Sequence, residues 1–161
     1  MASARNATRG SRSAVKATEL LKRQHREVKR LFKEIDSTED ARQRRQLLDR
    51  ISEALRAHTA IEEEIFYPAV REIGTNKAEE MVLESLEEHH VVDLVLAELP
   101  KLDPEDERFP AKMTVLSELV EHHADEEEEE MFPMAERKLG GERLSELGQQ
   151  VATRMEELRA K

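Results

Sequence analysis

The chain has 161 residues, with 26 basic and 36 acidic side chains, a net charge of −10, and no Cys. One domain with a sizeable core fits that length. The lack of Cys excludes disulfides, thiolate metal sites and thiol catalysis, and it suits a cytoplasmic location. The acidic balance speaks against nucleic acid and against an anionic membrane surface, both of which are bound through excess Lys and Arg. No apolar run comes near the roughly 20 residues that span a bilayer.

Charged residues make up 39% of the chain, Gly and Pro number five each, and there is one Tyr and no Trp. Strands want β-branched and aromatic residues, so this composition predicts long amphipathic helices. Residues 1–14 carry Arg and no acid and are expected to form a disordered basic tail. A transit peptide has a similar composition but would want an amphipathic helix. A first helix is predicted from Val15 to Asp36. Ser37-Thr38-Glu39-Asp40 then caps a second, which runs to Ile73 and stops at Gly74. Pro68 should kink its last turns. A third helix spans Asn76 to Leu99, and residues 100–110 form the one real loop. Pro110 suits the first turn of a fourth helix, which reaches Lys138 with a bend at Pro133. Beyond Gly140-Gly141, residues 142–160 place Leu144, Leu147, Val151, Met155 and Leu158 on one face. The predicted fold is all-α: an up-down-up-down four-helix bundle over residues 15–138, with a short C-terminal amphipathic helix packed outside it.

Bundle helices bury a stripe spaced alternately three and four residues apart. On the second helix that stripe reads Leu48, Ile51, Leu55, His58, Glu62, Ile65, Ala69. On the fourth it reads Met113, Leu116, Val120, His123, Glu127, Glu130, Met134. The first and third helices carry one seam imidazole each, His25 and His89. A two-helix unit is thus written twice: His, then His-x-x-x-Glu.

An unpartnered buried polar group costs roughly 2–7 kcal/mol. Four His and two Glu in one core would consume a typical net stability of about 5–15 kcal/mol unless something satisfied them. The predicted metal ligands are therefore His25, His58, Glu62, His89, His123 and Glu127. Imidazole and carboxylate without thiolate suit iron, manganese or zinc. Two six-coordinate ions bridged by the two Glu would keep open positions for solvent or a small molecule. Two choices rest on the stripes: His89 over His90, and His123 over His122. His90 and His122 are then either neighbours of the ligands or solvated surface groups, and Glu126 is the fallback for Glu127. Tyr67 either packs the core or hydrogen-bonds an oxygen species bound to the metal.

The sequence resembles hemerythrin-like proteins, the family with the HHE cation-binding domain. The resemblance rests on His25 with Val28 and Leu31-Phe32 after it, on HTAIEEEIFYP at 58–68, on EEHHVVDLVLAEL at 87–99, and on HHADEEEEEMFP at 122–133. It implies a non-haem centre of two iron ions, oxo- or hydroxo-bridged, that meets dioxygen, hydrogen peroxide or nitric oxide. Oxygen-carrying members have two His four residues apart on the third helix. Here Ser85 and Asp93 flank His89 at that spacing, which argues against reversible oxygen carriage. The expected function is peroxide decomposition of the catalase or peroxidase kind. The alternatives are binding or sensing of dioxygen, nitric oxide or iron without turnover, or a polar core that is only structural. Oligomeric state is left open.

Overall fold

A computed structural model describes residues 15–160 of the chain. The expected basic tail, residues 1–14, lies outside the described residues. Those that are described form five helices and no strand. Helix α1 is Ala17–Asp36. Helix α2 runs through Ala41–Ile61, widens into a π turn at Glu62–Phe66 and resumes as Tyr67–Arg71. Helix α3 is Asn76–Glu98, followed by a 3₁₀ turn at Leu99–Lys101. Helix α4 repeats the plan of α2, with Arg108–Glu126, a π turn at Glu127–Met131 and Phe132–Leu139. Helix α5 is Gly141–Arg159. None of these helices is long and apolar enough to cross a membrane.

The ends are set by local chemistry. The Asp40 carboxylate accepts from the backbone N–H groups of Arg42 and Gln43 and so starts α2. Gly74 and Gly140 leave their helices at φ +77° and +84°, a region that costs other residues a Cβ clash. Arg44 and Arg45 donate to the carbonyls of Pro104, Pro100 and Leu102 and tie the α3–α4 loop to α2.

The expected kinks at Pro68 and Pro133 take the form of π turns. Each proline stands two residues past its π turn, Pro68 after Glu62–Phe66 and Pro133 after Glu127–Met131. Proline has no N–H to give to the preceding turn. Instead the N–H of Tyr67 bonds the Glu62 carbonyl, and the N–H of Phe132 bonds the Glu127 carbonyl, each five residues back. The extra residue shifts the seam by one position. Glu130, expected on the seam, is exposed, and Met131 with Phe132 is buried in its place.

The apolar core divides into two clusters. One holds Leu21, Ile61, Phe66, Val82, Met131 and Phe132, with Leu144, Leu147 and Val151 of α5. The other holds Val28, Phe32, Leu48, Leu55, Val92, Phe109 and Leu116. On α1 the chain passes from the first cluster at Leu21 to the second at Val28, and His25 lies between. On α2 the change falls between Leu55 and Ile61, and His58 lies there. The buried histidines and glutamates occupy this division.

Candidate metal centre

His25, His58, Glu62, His89, His123 and Glu127 are all buried, none more than 6% exposed. α1 and α3 each contribute one imidazole, while α2 and α4 each contribute an imidazole and, one turn on, a carboxylate. The donor atoms fall into two groups that share Glu62. Those of His25, His58, Glu62 and Glu127 lie within 4.8 Å of one another, and so do those of Glu62, His89 and His123. Within the groups, His25 Nε2 is 3.2 Å from His58 Nε2, and His89 Nε2 is 3.1 Å from His123 Nε2. Glu62 Oε1 is 3.1 Å from the Nε2 of both His58 and His89. Glu127 Oε1 is 3.2 Å from His25 Nε2 and 3.4 Å from His123 Nε2.

Every one of the four rings is oriented by an oxygen on its outer side. His25 Nδ1 is 3.1 Å from Glu128 Oε2, His58 Nδ1 is 2.7 Å from Gln24 Oε1, His89 Nδ1 is 3.0 Å from Glu63 Oε2, and His123 Nδ1 is 3.2 Å from Glu88 Oε1. A ring that donates from Nδ1 carries its lone pair on Nε2 when neutral. All four Nε2 atoms therefore present lone pairs to one another and to two carboxylates. That arrangement repels itself unless protons or a cation lie among the donors. The second oxygen of Glu62, Oε2, is buried without a hydrogen-bond partner. Imidazoles held by outer carboxylates are the usual setting of a metal-binding histidine, and the residues present fit such a group.

The titration behaviour has the same cause. Burial opposes charge on His123, but the Glu127 carboxylate, with Glu62 and Glu88, pushes it up to about 11. Burial and the neighbouring Glu62 charge push Glu127 up to about 7. Burial also opposes charge on Glu62, yet His58, Glu127 and His123 hold it well below the usual carboxylate range. His25 and His89 are raised against burial by the same carboxylates, whereas burial prevails at His58 and lowers it. The carboxylates favour positive charge on His25, His89 and His123.

Tyr67 packs the core and also reaches the polar layer. Its ring is 2% exposed in the apolar core, and its hydroxyl enters the layer, donating to Glu127 Oε2 at 2.9 Å. The same oxygen is 3.2 Å from Glu62 Oε1 and His89 Nε2 and 3.3 Å from His123 Nε2. At the corresponding place in the repeat stands Phe132, stacked on His25 at 5.8 Å and 6°.

His90 and His122 do not reach the layer. Both are exposed, because one step along a helix turns a side chain by about 100° from its neighbour. His122 pairs instead with Glu126 at 3.1 Å. Gln24, Glu63, Glu88 and Glu128 went unnoticed in the sequence, where each reads as part of a solvated face.

The helices and the buried imidazole–carboxylate layer together define a helical protein built around a cation site. The chain belongs to the hemerythrin HHE cation-binding domain family, whose sequence model matches residues 16–135. It is 29% identical to the uncharacterized protein Rv2633c of Mycobacterium tuberculosis, over 89% of this chain and 87% of that one. A crystal structure of an HHE cation-binding domain-containing protein from Mycobacterium kansasii, a homologue of Rv2633c, superposes with a TM-score of 0.76 at 29% identity. The match covers 91% of this chain and 88% of that one. A DNA nickase of Nostoc sp. is 26% identical over 77% of this chain, which corresponds to 34% of its own length.

Proposed function

We propose that the protein holds two iron ions in this layer and decomposes hydrogen peroxide in a catalase- or peroxidase-like reaction. One observation carries the reading: two donor groups joined through Glu62, with Glu127 reaching an imidazole of each at 3.2 and 3.4 Å. In this reading α1–α4 form an up-down-up-down bundle with α5 on its outside. His25 and His58 would hold one ion, His89 and His123 the other, and Glu62 and Glu127 would bridge them. Donors of this kind suit iron, which when bound supplies reversible one-electron chemistry.

The chain's own residues do the rest. Glu128, Gln24, Glu63 and Glu88 keep the Nδ1 protons on the outer side, so that Nε2 faces inward. Burial, with the charges of Glu62 and Glu127, holds the Tyr67 hydroxyl protonated well above its ordinary range. It can therefore donate a hydrogen bond to an oxygen atom brought into the layer. Gln24 also lines a groove of ≈ 700 Å³ between α1, α2 and the end of α5, walled by Val28, Leu31, Ala54 and Met155. No second imidazole of α3 joins the layer, since His90 is exposed and the positions four from His89 hold Ser85 and Asp93, and this favours turnover over carriage.

The test is metal content per chain together with oxygen evolution from peroxide, by the balance 2 H₂O₂ → 2 H₂O + O₂. Two irons per chain and measurable oxygen are expected. One tightly bound zinc with no second metal overturns the two-ion reading. Reversible dioxygen binding over many cycles, with negligible peroxide turnover, replaces the enzyme reading with carriage or sensing.

A further inference from the structure

On the surface of α3 and α4 lies a second group of donors that the buried layer does not use. His122 Nε2 is 3.1 Å from Glu126 Oε1 and 3.9 Å from Glu88 Oε2. The donor atoms of all three lie within 4.8 Å of one another. Two donors bound at about 2.1 Å to one ion stand at most about 4.2 Å apart, so both measured separations already fall within chelating range. The side chains are 67%, 39% and 23% exposed for His122, Glu126 and Glu88, so hydrated cations reach them directly.

The group is more than a patch of acid. α4 carries two His-x-x-x-Glu pairs in adjacent registers, His122–Glu126 outward and His123–Glu127 inward. Glu88 touches both: Oε1 is 3.2 Å from His123 Nδ1 and Oε2 is 3.9 Å from His122 Nε2. One carboxylate thus stands behind a buried imidazole and beside an exposed one. Glu84 and Glu130 lie close enough for their charges to act on Glu126, which concentrates cations at the surface pair.

We propose that Glu88, His122 and Glu126 form an external divalent-cation site that loads the buried centre. A cation held by His122 and Glu126 stands one carboxylate, Glu88, away from the buried His123. The loading role rests on the reading of the buried layer as a metal centre, whereas the binding role does not.

The test uses the full chain stripped with chelator. Calorimetric titration with Zn²⁺ counts sites, and stopped-flow addition of Co²⁺ follows filling of the buried centre through its absorption. The wild type is expected to bind one weak, readily exchanged Zn²⁺ beyond the buried complement. His122→Ala and Glu126→Gln should each lose that weak site and fill the buried centre about tenfold more slowly, reaching the same final content. Glu129→Ala removes a negative charge outside the group and should load at the wild-type rate. Wild-type loading by His122→Ala and Glu126→Gln overturns the loading role, and an intact weak site in both overturns the site itself. His58→Ala separates the two readings. It should lose buried metal and keep the weak site. If it retains the full buried content, the metal-centre reading fails and the loading role with it, while the weak-site count still decides whether the surface group binds a cation.

Discussion

Tyr67 distinguishes the two halves of the repeat chemically, as does Gln24 behind His58 where the other half has Glu88 behind His123. Its hydroxyl stands 2.9 Å from Glu127 and 3.2 Å from Glu62, where the other half has the phenyl ring of Phe132. Tyr67→Phe should keep the fold and the metal content, because the ring packing is retained. A hydrogen bond of this kind contributes about 1 kcal/mol, so the melting temperature should fall by only a few degrees. Peroxide turnover should fall roughly tenfold or more, the scale of a lost proton donor, with a shifted absorption spectrum. Unchanged turnover would remove Tyr67 from the chemistry. The buried donors behave differently. His58→Ala or Glu62→Ala should abolish metal and spectrum together, while Glu129→Ala, exposed on the π turn, should do neither. Elemental analysis of the three purified variants decides it.

Among the elements, α5 approaches the backbone at Val15 closely. A Cβ placed on Gly148 would sit 1.7 Å from the carbonyl oxygen of Val15, and a backbone atom cannot step aside as a side chain can. Gly148→Ala should therefore lift α5 and uncover Leu144, Leu147 and Val151. Overpacking of this kind costs about 1–3 kcal/mol, which corresponds to a melting temperature lower by roughly 2–10 °C. Metal content should hold, since α5 supplies no donor. The stripe of α5 was legible in the sequence because its leucines repeat at helical spacing, but a lone Gly among them carries no such period. The π turns show the same limit. Periodicity located His58, Glu62, His123 and Glu127 because apolar neighbours frame them, yet it assumed 3.6 residues per turn through Pro68 and Pro133. Where the turn widened, the reading slipped by one and placed Glu130 inside. The oxygens that orient the rings were illegible for a different reason: Glu63, Glu88 and Glu128 lie on helix faces rich in Glu, and only the fold selects which carboxylate meets an imidazole.

For the whole molecule, pH and metal act on the same layer with opposite signs. In the chelated protein Glu127, raised to about 7, holds its proton more firmly than the unfolded chain does. Its contribution is present below its ordinary value of 4.5 and is lost as the pH rises through about 7. The raised His25 and His89 lose theirs as the pH passes above the ordinary imidazole range, and His123 does so toward about 11. The lowered His58 opposes this, and the lowered Glu62 withdraws its contribution only at acid pH. The melting temperature of the chelated protein should therefore fall between pH 5 and pH 8. With metal bound it should rise over the same interval, because protons compete with the cation for every donor. Scanning calorimetry on both forms checks the crossing, and parallel curves would mean that no cation occupies the layer.

Along α1 and α2 the histidines of this layer fall between the two apolar clusters. A metal ion would clamp four helices at once, from the inside, as a keystone does in an arch. Taking it out leaves two hydrophobic blocks threaded by the same helices, each able to loosen without the other. Amide exchange in the chelated protein should then resolve into two groups of protected residues with different opening energies, one around Leu48, Ile51 and Leu116 and the other around Leu21, Val70 and Leu147. Loaded with metal, the same amides should exchange as one cooperative unit.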